Sequence, residues 1–322
     1  MLSWTDRAAH RFDSNSSRAY SGQQLRQFFD RYVGELRAPQ TLTLSDFIKR
    51  LLEIGHLKRS IIKPITQPKK GDGATYKPIT LYIWKDVAPT DVALALRPQS
   101  YLSHSTAAVH HGLLTINEDL YANKEQSPKP HSESTLSQDA MRRAFSNAPR
   151  MSNLIYGYED KKIILLAGKN TGDFEVENAK SSHGTVIRVT SLERTLVDLA
   201  VRPSYGGGVN AVLAAYAKAI KRISLPKIVA VLKALDHLYP FHQAVGFYLS
   251  QAGMSPSATA VLRDLGLKFD FYLTNQIENP TFDPSWRIHF PPSLQHVETV
   301  PSNRPTVPGA KSRSTRPQTG RK

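Results

Sequence analysis

Apolar residues recur every three or four positions over residues 21–36, where Leu25, Phe28, Phe29, Tyr32, Val33 and Leu36 fall on one helical face. Ala38-Pro39 ends this helix, because a residue before proline is held away from the helical region. A second helix is predicted over 43–55. Thr43 or Ser45 can accept its first free amides, and Leu44, Phe47, Ile48, Leu51 and Leu52 form the buried stripe. Gly55 stands where a helix commonly ends in the left-handed conformation. Segments 57–65 and 76–84 are rich in β-formers. They enclose the polar stretch 67–75 with Gly71-Asp72-Gly73, which predicts a hairpin whose tip carries Lys69 and Lys70.

A second region starts near Pro89. Residues 91–96 are a short apolar run, and 101–113 predict a short helix with Ser103 as N-cap and Gly112 at the C-terminal end. Residues 122–138 are polar, with Pro and Ser, and read as a loop or insertion. Segments 154–158, 162–167 and 185–189 predict strands. A helix follows over 190–200. Thr190 and Glu193 fit a capping box there, Arg194 and Asp198 are four apart and able to pair, and Leu192, Thr195, Leu196 and Leu199 face inward. Pro203 closes it. Three more helices are expected over 209–220, 226–238 and 242–252, then a strand over 267–274. No repeat period is present.

The chain has 322 residues, 40% of them hydrophobic, which suits a folded protein of about two domains. Forty-two Lys and Arg outweigh 27 Asp and Glu, for a net charge of +15. The excess is uneven. Residues 1–70 carry +7, residues 301–322 carry +6 with no acid, and the 230 residues between carry +2. Two basic ends on a near-neutral body suit a polyanion. The last 22 residues are rich in Pro, Ser and Thr, and are expected to be disordered. There is no cysteine, which excludes a disulfide framework, a thiolate metal site and a cysteine nucleophile. Residues 1–13 are charged throughout, unlike a secretory signal, and aliphatic runs such as 163–167 reach only five residues, against about 20 for a membrane helix. A cytoplasmic protein that does not enter the membrane is expected.

Helix, helix and basic hairpin is the order of a winged helix-turn-helix, in which one helix enters the major groove and the wing touches the backbone. Small helix–hairpin units also serve as protein-binding modules. On the DNA-binding reading, Phe47, Ile48, Leu51 and Leu52 face the core, and the outward Ser45, Asp46, Lys49 and Arg50 can reach bases. Lys58, Arg59, Lys63, Lys69 and Lys70 are placed for phosphates, which give affinity and salt dependence but no sequence choice.

Three constellations bear on catalysis. His104, His110 and His111 cluster, but with no H-E-x-x-H and no cysteine a zinc site would need ligands from elsewhere. Gly206-Gly207-Gly208 fits neither a phosphate loop nor a dinucleotide fingerprint, so a helix–helix loop is expected. Glu193 and Asp198, with Lys161 and Lys162, could make a metal-dependent nuclease, although capping and ion pairing already account for both acids. G-x-S-x-G is absent. The chain reads as no enzyme, with no cofactor and no metal.

Two segments resemble a known family. Residues 101–113 (YLSHSTAAVHHGL) are similar to the Y-[LI]-S-h-x-S-A-L-x-x-H-G-L segment of AbiEi-type antitoxins, and residues 189–199 (VTSLERTLVDL) to their [VI]-T-s-x-E-R-T-L-[VI]-D segment. Order and spacing also match, over roughly residues 20–290. The matching positions are Ser103, His111, Gly112 and Leu113, then Thr190, Glu193, Arg194, Thr195, Leu196 and Asp198. Three features depart from the family: about twenty extra residues at the start, a longer wing, and Thr106-Ala107-Ala108 in place of Ser-Ala-Leu. The resemblance implies a type IV antitoxin of an abortive-infection (phage-defence) system. Its N-terminal domain would repress transcription of its own operon at inverted repeats, and its larger domain would counteract a nucleotidyltransferase-like toxin without needing direct contact. The expected fold is α+β: an extension over 1–20, a winged helix-turn-helix over 21–88, a mixed α/β antitoxin domain with a helical C-terminal part over 89–295, and a basic tail over 296–322. A standalone winged-helix transcriptional regulator and a metal-dependent nuclease are the alternatives.

Overall fold

A helix of eleven residues opens the chain. In the computed structural model, which describes residues 2–66, 76–115, 119–128, 136–181 and 183–294, α1 (Trp4–Ser14) starts on a capping box formed by Ser3 and Asp6. A short strand, β1 (Ala19–Ser21), leads into α2 (Gly22–Tyr32), which Ser21 and Gln24 cap reciprocally. A single 3-10 turn carries the chain to Leu36. Of the two candidate caps for α3 (Leu44–Glu53), Thr43 is the one used; its hydroxyl accepts the Asp46 amide. The antiparallel pair β2 (Leu57–Pro64) and β3 (Ile79–Trp84) follows, with β1 on its outer side. Phe12, Phe28, Phe47, Leu51, Leu57 and Trp84 share one core. Residues 1–20, expected to stand outside this unit, supply α1 and β1 to it.

The apolar run at 91–96 is helical: α4 (Pro89–Ala95) starts on Pro89, whose missing amide costs nothing at a first helical position. Next come β4 (Tyr101–Leu102), α5 (His104–His110) and β5 (Asp119–Glu125). The loop expected over 122–138 is therefore partly strand, and its end begins α6 (Gln138–Ser146). Leu120, Tyr121, Ala122 and Asn123 are buried in succession, and the polar Asn123 is accommodated because its amide donates to the Tyr101 hydroxyl at 3.1 Å. Strands β6 (Ile155–Tyr158), β7 (Lys161–Gly168) and β9 (Val186–Thr190) match the sequence pattern, whereas β8 (Val176–Lys180) is a mostly polar edge strand with no apolar signal.

Nine strands join in one mixed sheet, ordered β1-β3-β2-β6-β7-β5-β4-β9-β8. The hairpin strand β2 reaches past β3 to pair with β6 through Lys63 and Pro64, so the sheet runs from the first region into the second without a break. It curls back on itself: the Val186 amide of β9 donates to the Ser16 carbonyl just before β1, at 3.0 Å. Helix α4 fills the curl. Val92, Ala93, Ala95 and Leu96 pack with Ala19, Leu81, Ile83, Leu120, Ala122 and Ile163.

The rest of the chain is chiefly helical. α7 (Leu192–Val201), α8 (Val209–Ala219), α9 (Leu225–Leu235) and α10 (Phe241–Gln251) surround a large core, and the short α11 (Ala260–Arg263) packs on α10. Of the strand expected over 267–274, only β10 (Phe271–Tyr272) forms. It joins β11 (Thr281–Asp283) and β12 (Ile288–Phe290) in a second sheet ordered β10-β12-β11. Gly246 of α10 lies flat against the buried Trp286, and any Cβ there would collide with the indole. Among the described residues, no helix is long and apolar enough to cross a membrane.

Candidate functional site

Helix α3 presents two faces. Phe47 and Leu51 are buried, while Ser45, Asp46, Lys49 and Arg50 are exposed together on the other side. Two of the four are engaged locally. Asp46 takes the Thr43 hydroxyl at 2.6 Å, and Arg50 pairs loosely with Glu53 at 3.5 Å. Both contacts are surface contacts of small worth, so a stronger partner can displace them.

On β2 the strand period sorts the cations. Leu57, Arg59, Ile61 and Lys63 share the sheet face that α3 packs against. The helices cover Leu57 and leave Arg59, Ile61 and Lys63 exposed. Lys58 points to the opposite face, so the three described hairpin cations do not act as one group. Lys69 and Lys70 lie outside the described residues, as does the basic tail.

The two other motifs meet in the body of the protein. α5 packs on α7, and the His111 Nε2–H donates to the Thr190 carbonyl at 2.7 Å. Gly112, with φ of +72°, reverses the chain after α5, and Leu113 enters the core. Ser103 occupies the N-cap position without capping; its hydroxyl instead bonds the His104 Nδ1 at 2.9 Å.

The capping box expected from Thr190 and Glu193 does not form. Ser191 caps α7 by accepting the Arg194 amide. Thr190 is the last residue of β9, and its hydroxyl bonds that of Thr195 at 2.7 Å. The Glu193 carboxylate reaches a different helix, where it accepts the Ser224 amide at 2.8 Å ahead of α9. The Arg194–Asp198 pair is present and buried: Nε to Oδ1 is 3.2 Å, and Arg194 Nη1 also donates to the Phe174 carbonyl at 2.8 Å. Leu196 is fully buried. Of the polar motif side chains, His111, Glu193 and Arg194 reach other elements of the fold, whereas Ser103 and Asp198 bond close by in sequence.

The acids and lysines weighed for a nuclease go separate ways. Glu193 and Asp198 have the partners just described, and Lys161 pairs with its neighbour Asp160 at 3.0 Å. Among the described residues, no group of three His, Asp or Glu is placed to hold a metal ion.

His104 was reachable from the sequence only as one of a histidine cluster. Its ring packs between Tyr121 and Tyr205, and burial pushes its pKa down from 6.5 to about 4. Burial depresses His237 in the same direction. A depressed folded pKa means stability that is complete above about pH 6.5 and is lost as pH falls toward 4. At about 1.4 kcal/mol per pKa unit, His104 alone accounts for a loss on the order of 3 kcal/mol across that window. His104→Asn, which keeps a polar partner for Ser103 and tolerates the positive φ of 51° there, is expected to flatten urea-unfolding stability between pH 7 and 5; an unchanged slope would refute the assignment.

The architecture is similar to the crystal structure of the RV2827C protein from Mycobacterium tuberculosis, which is 14% identical in sequence, with a TM-score of 0.51 over 89% of this chain and 91% of that chain. No protein-family model matches the chain. No curated protein matches it. The likeness to the mycobacterial protein shows the fold: a mixed α+β chain in which a long curled sheet joins an N-terminal helical unit to a helical C-terminal half.

Proposed function

We propose that the protein is a DNA-binding transcriptional autorepressor and type IV antitoxin, not an enzyme, that counteracts a nucleotidyltransferase-like toxin. One observation carries the DNA-binding half. α3 exposes Ser45, Asp46, Lys49 and Arg50 beside a hairpin face that exposes Arg59 and Lys63. On this reading α1–α3 with the β2–β3 hairpin act as a winged helix, α3 reads base edges, and the hairpin cations meet phosphates. The net charge of +15 favours the same partner. The antitoxin half rests on the likeness of 101–113 and 189–199 to AbiEi-type segments. In support, those segments pack together through α5 and α7.

The double variant Lys49→Ala, Arg50→Ala is expected to weaken operator binding by about 1–3 kcal/mol per lost bidentate base contact. The assay is a gel-shift titration on the chain's own upstream DNA at two salt concentrations, with scrambled DNA as control. Preferential, salt-weakened binding that the variant loses supports the reading; equal binding to both DNAs, or an unaffected variant, sinks it. The antitoxin half requires a nucleotidyltransferase-like reading frame beside the gene; co-expression with its product tests it, and rescue of growth is the expected result.

A further inference from the structure

The C-terminal sheet carries a row of aromatic side chains that runs from the edge of the core to the surface and that the proposed repressor activity does not use. In register, Tyr272 of β10 lies opposite His289 of β12, and His289 lies opposite Phe282 of β11. Residues opposite one another project from the same face. The rings form a column: Tyr272 stacks on His289 at 4.8 Å and 24°, and Phe282 meets His289 at 4.8 Å, tilted by 45°. Phe145 of α6 extends it at 5.7 Å and 19° from Tyr272. Rings that served only as core would be covered, yet Phe282 at the open end is 41% exposed.

At the other end of the column lies a cleft of about 530 Å³, within the range of small-molecule sites. It opens between Arg142, Phe145 and Ser146 on one wall and Tyr272, Gln276 and Glu278 on the other. The walls are tied to each other. The Gln276 amide donates to the Phe145 carbonyl at 2.8 Å, and the Asn275 side chain donates to the Ala144 and Asn147 carbonyls at 3.2 and 2.9 Å. The Gln138 side chain holds the Asp270 backbone in both directions, at 2.8 and 2.9 Å. The cleft is therefore formed before any ligand arrives.

Its chemistry selects a ligand. Phe145 and Tyr272 both line the cleft and offer it aromatic surface against which a planar ring can pack. Arg142 is largely exposed and holds Asp139 only at 3.9 Å, leaving its guanidinium able to take a phosphate or lie on a base. Glu278 offers a carboxylate. Guanine is the base whose pairing edge presents two adjacent donors, and a carboxylate accepts both. We propose that this cleft binds an unpaired guanine nucleotide of a single-stranded nucleic acid, with the base against Phe145 and Tyr272, its pairing edge on Glu278 and its phosphate on Arg142. This is the mode in which extruded bases are read from single strands, by stacking and by hydrogen bonds to the exposed edge.

The test uses the full chain and fluorescence anisotropy at matched salt, with labelled strands of about twelve nucleotides. One strand alternates U and G and one is all U, each as RNA and as DNA. The G-containing strand is expected to bind about tenfold tighter, the size of a charge-assisted hydrogen-bonded contact. A preference in both backbones assigns reading of the base alone; a preference only in RNA adds the 2′-hydroxyl to the site. Glu278→Gln is expected to abolish the preference, and Arg142→Ala to weaken both strands several-fold. Both side chains are exposed, so unchanged melting temperatures are expected for both variants. Equal binding of the two strands, or a preference that survives Glu278→Gln, overturns the proposal. The Lys49→Ala, Arg50→Ala protein is expected to keep the preference while losing operator duplex. If the preference vanishes there instead, the single strand is held by the N-terminal unit and the cleft assignment is wrong.

Discussion

Replacing Arg194 by Met is expected to lower the unfolding free energy by about 3–5 kcal/mol, the cost of leaving a buried charge without its partner. Arg194 is 2% exposed, and the Asp198 carboxyl beside it is almost as deeply covered. Asp198 Oδ1 accepts from the guanidinium, and Asp198 Oδ2 has no hydrogen-bond partner, so loss of Arg194 removes the carboxylate's one strong interaction. The guanidinium also closes the Phe174 carbonyl, which links α7 to the segment before β8. Urea unfolding of four proteins measures this: wild type, Arg194→Met, Asp198→Leu and the double variant. The double variant is expected to recover most of the loss, because no unpaired charge remains. Additive losses would mean that the pair contributes nothing as a pair. The same series separates structure from catalysis: any loss of function in Asp198→Leu that the double variant restores is structural, and a nuclease assignment for Asp198 falls.

Phe12→Ala is the second large effect, at about 3–5 kcal/mol for a fully buried aromatic ring. Phe12 sits 3.9 Å from Phe28 at 12° and 4.6 Å from Trp84 at 15°, which joins α1 to α2 and to the end of β3. Its neighbour Asp13 reinforces the junction by accepting from the Trp84 indole at 2.9 Å and from Lys85 at 2.6 Å. Hydrogen bonding from Lys85 and then Trp84 holds the Asp13 carboxyl below its ordinary pKa, so this added stability is present above about pH 4 and fades below it. Since α1 completes the core under α3, removing residues 1–20 is expected to abolish operator binding along with the folding of that unit. Trp84 fluorescence and near-UV circular dichroism of Phe12→Ala read the loss directly; a truncated protein that still binds operator with wild-type affinity would contradict it.

Helices α2, α3 and α7 to α10 were legible in the sequence because their information is local. Leu25, Phe28 and Phe29 mark a face by spacing alone, and Thr43 and Gly55 bracket α3. The same holds for the Arg194–Asp198 pair, since four-residue spacing places both on one helical face. α1 was hidden because its buried positions are Ala8 and Phe12 amid charges, a stripe too thin to stand out before its partners are known. β8 is polar because it is an edge, and β5 continues through Asn123 because Tyr101, twenty-two residues earlier, supplies a partner.

The candidate sites divide in the same way. The outward set on α3 could be read from helical periodicity. The split of Arg59 and Lys63 from Lys58 needed the sheet, because which strand face stays open depends on where the helices pack. Glu193 looked like a capping residue because capping is a short-range pattern, but the amide it satisfies belongs to Ser224. The column of Phe145, Tyr272, His289 and Phe282 has no sequence period at all: four side chains from a helix and three strands meet only when the second sheet closes. Sequence by itself determined the amphipathic faces, the chain-reversing glycines and the charge imbalance, since each depends on neighbours within a few residues. Tertiary structure alone decided which polar groups are satisfied, which cations share a surface and where a cleft opens, because those depend on contacts between residues far apart in the chain.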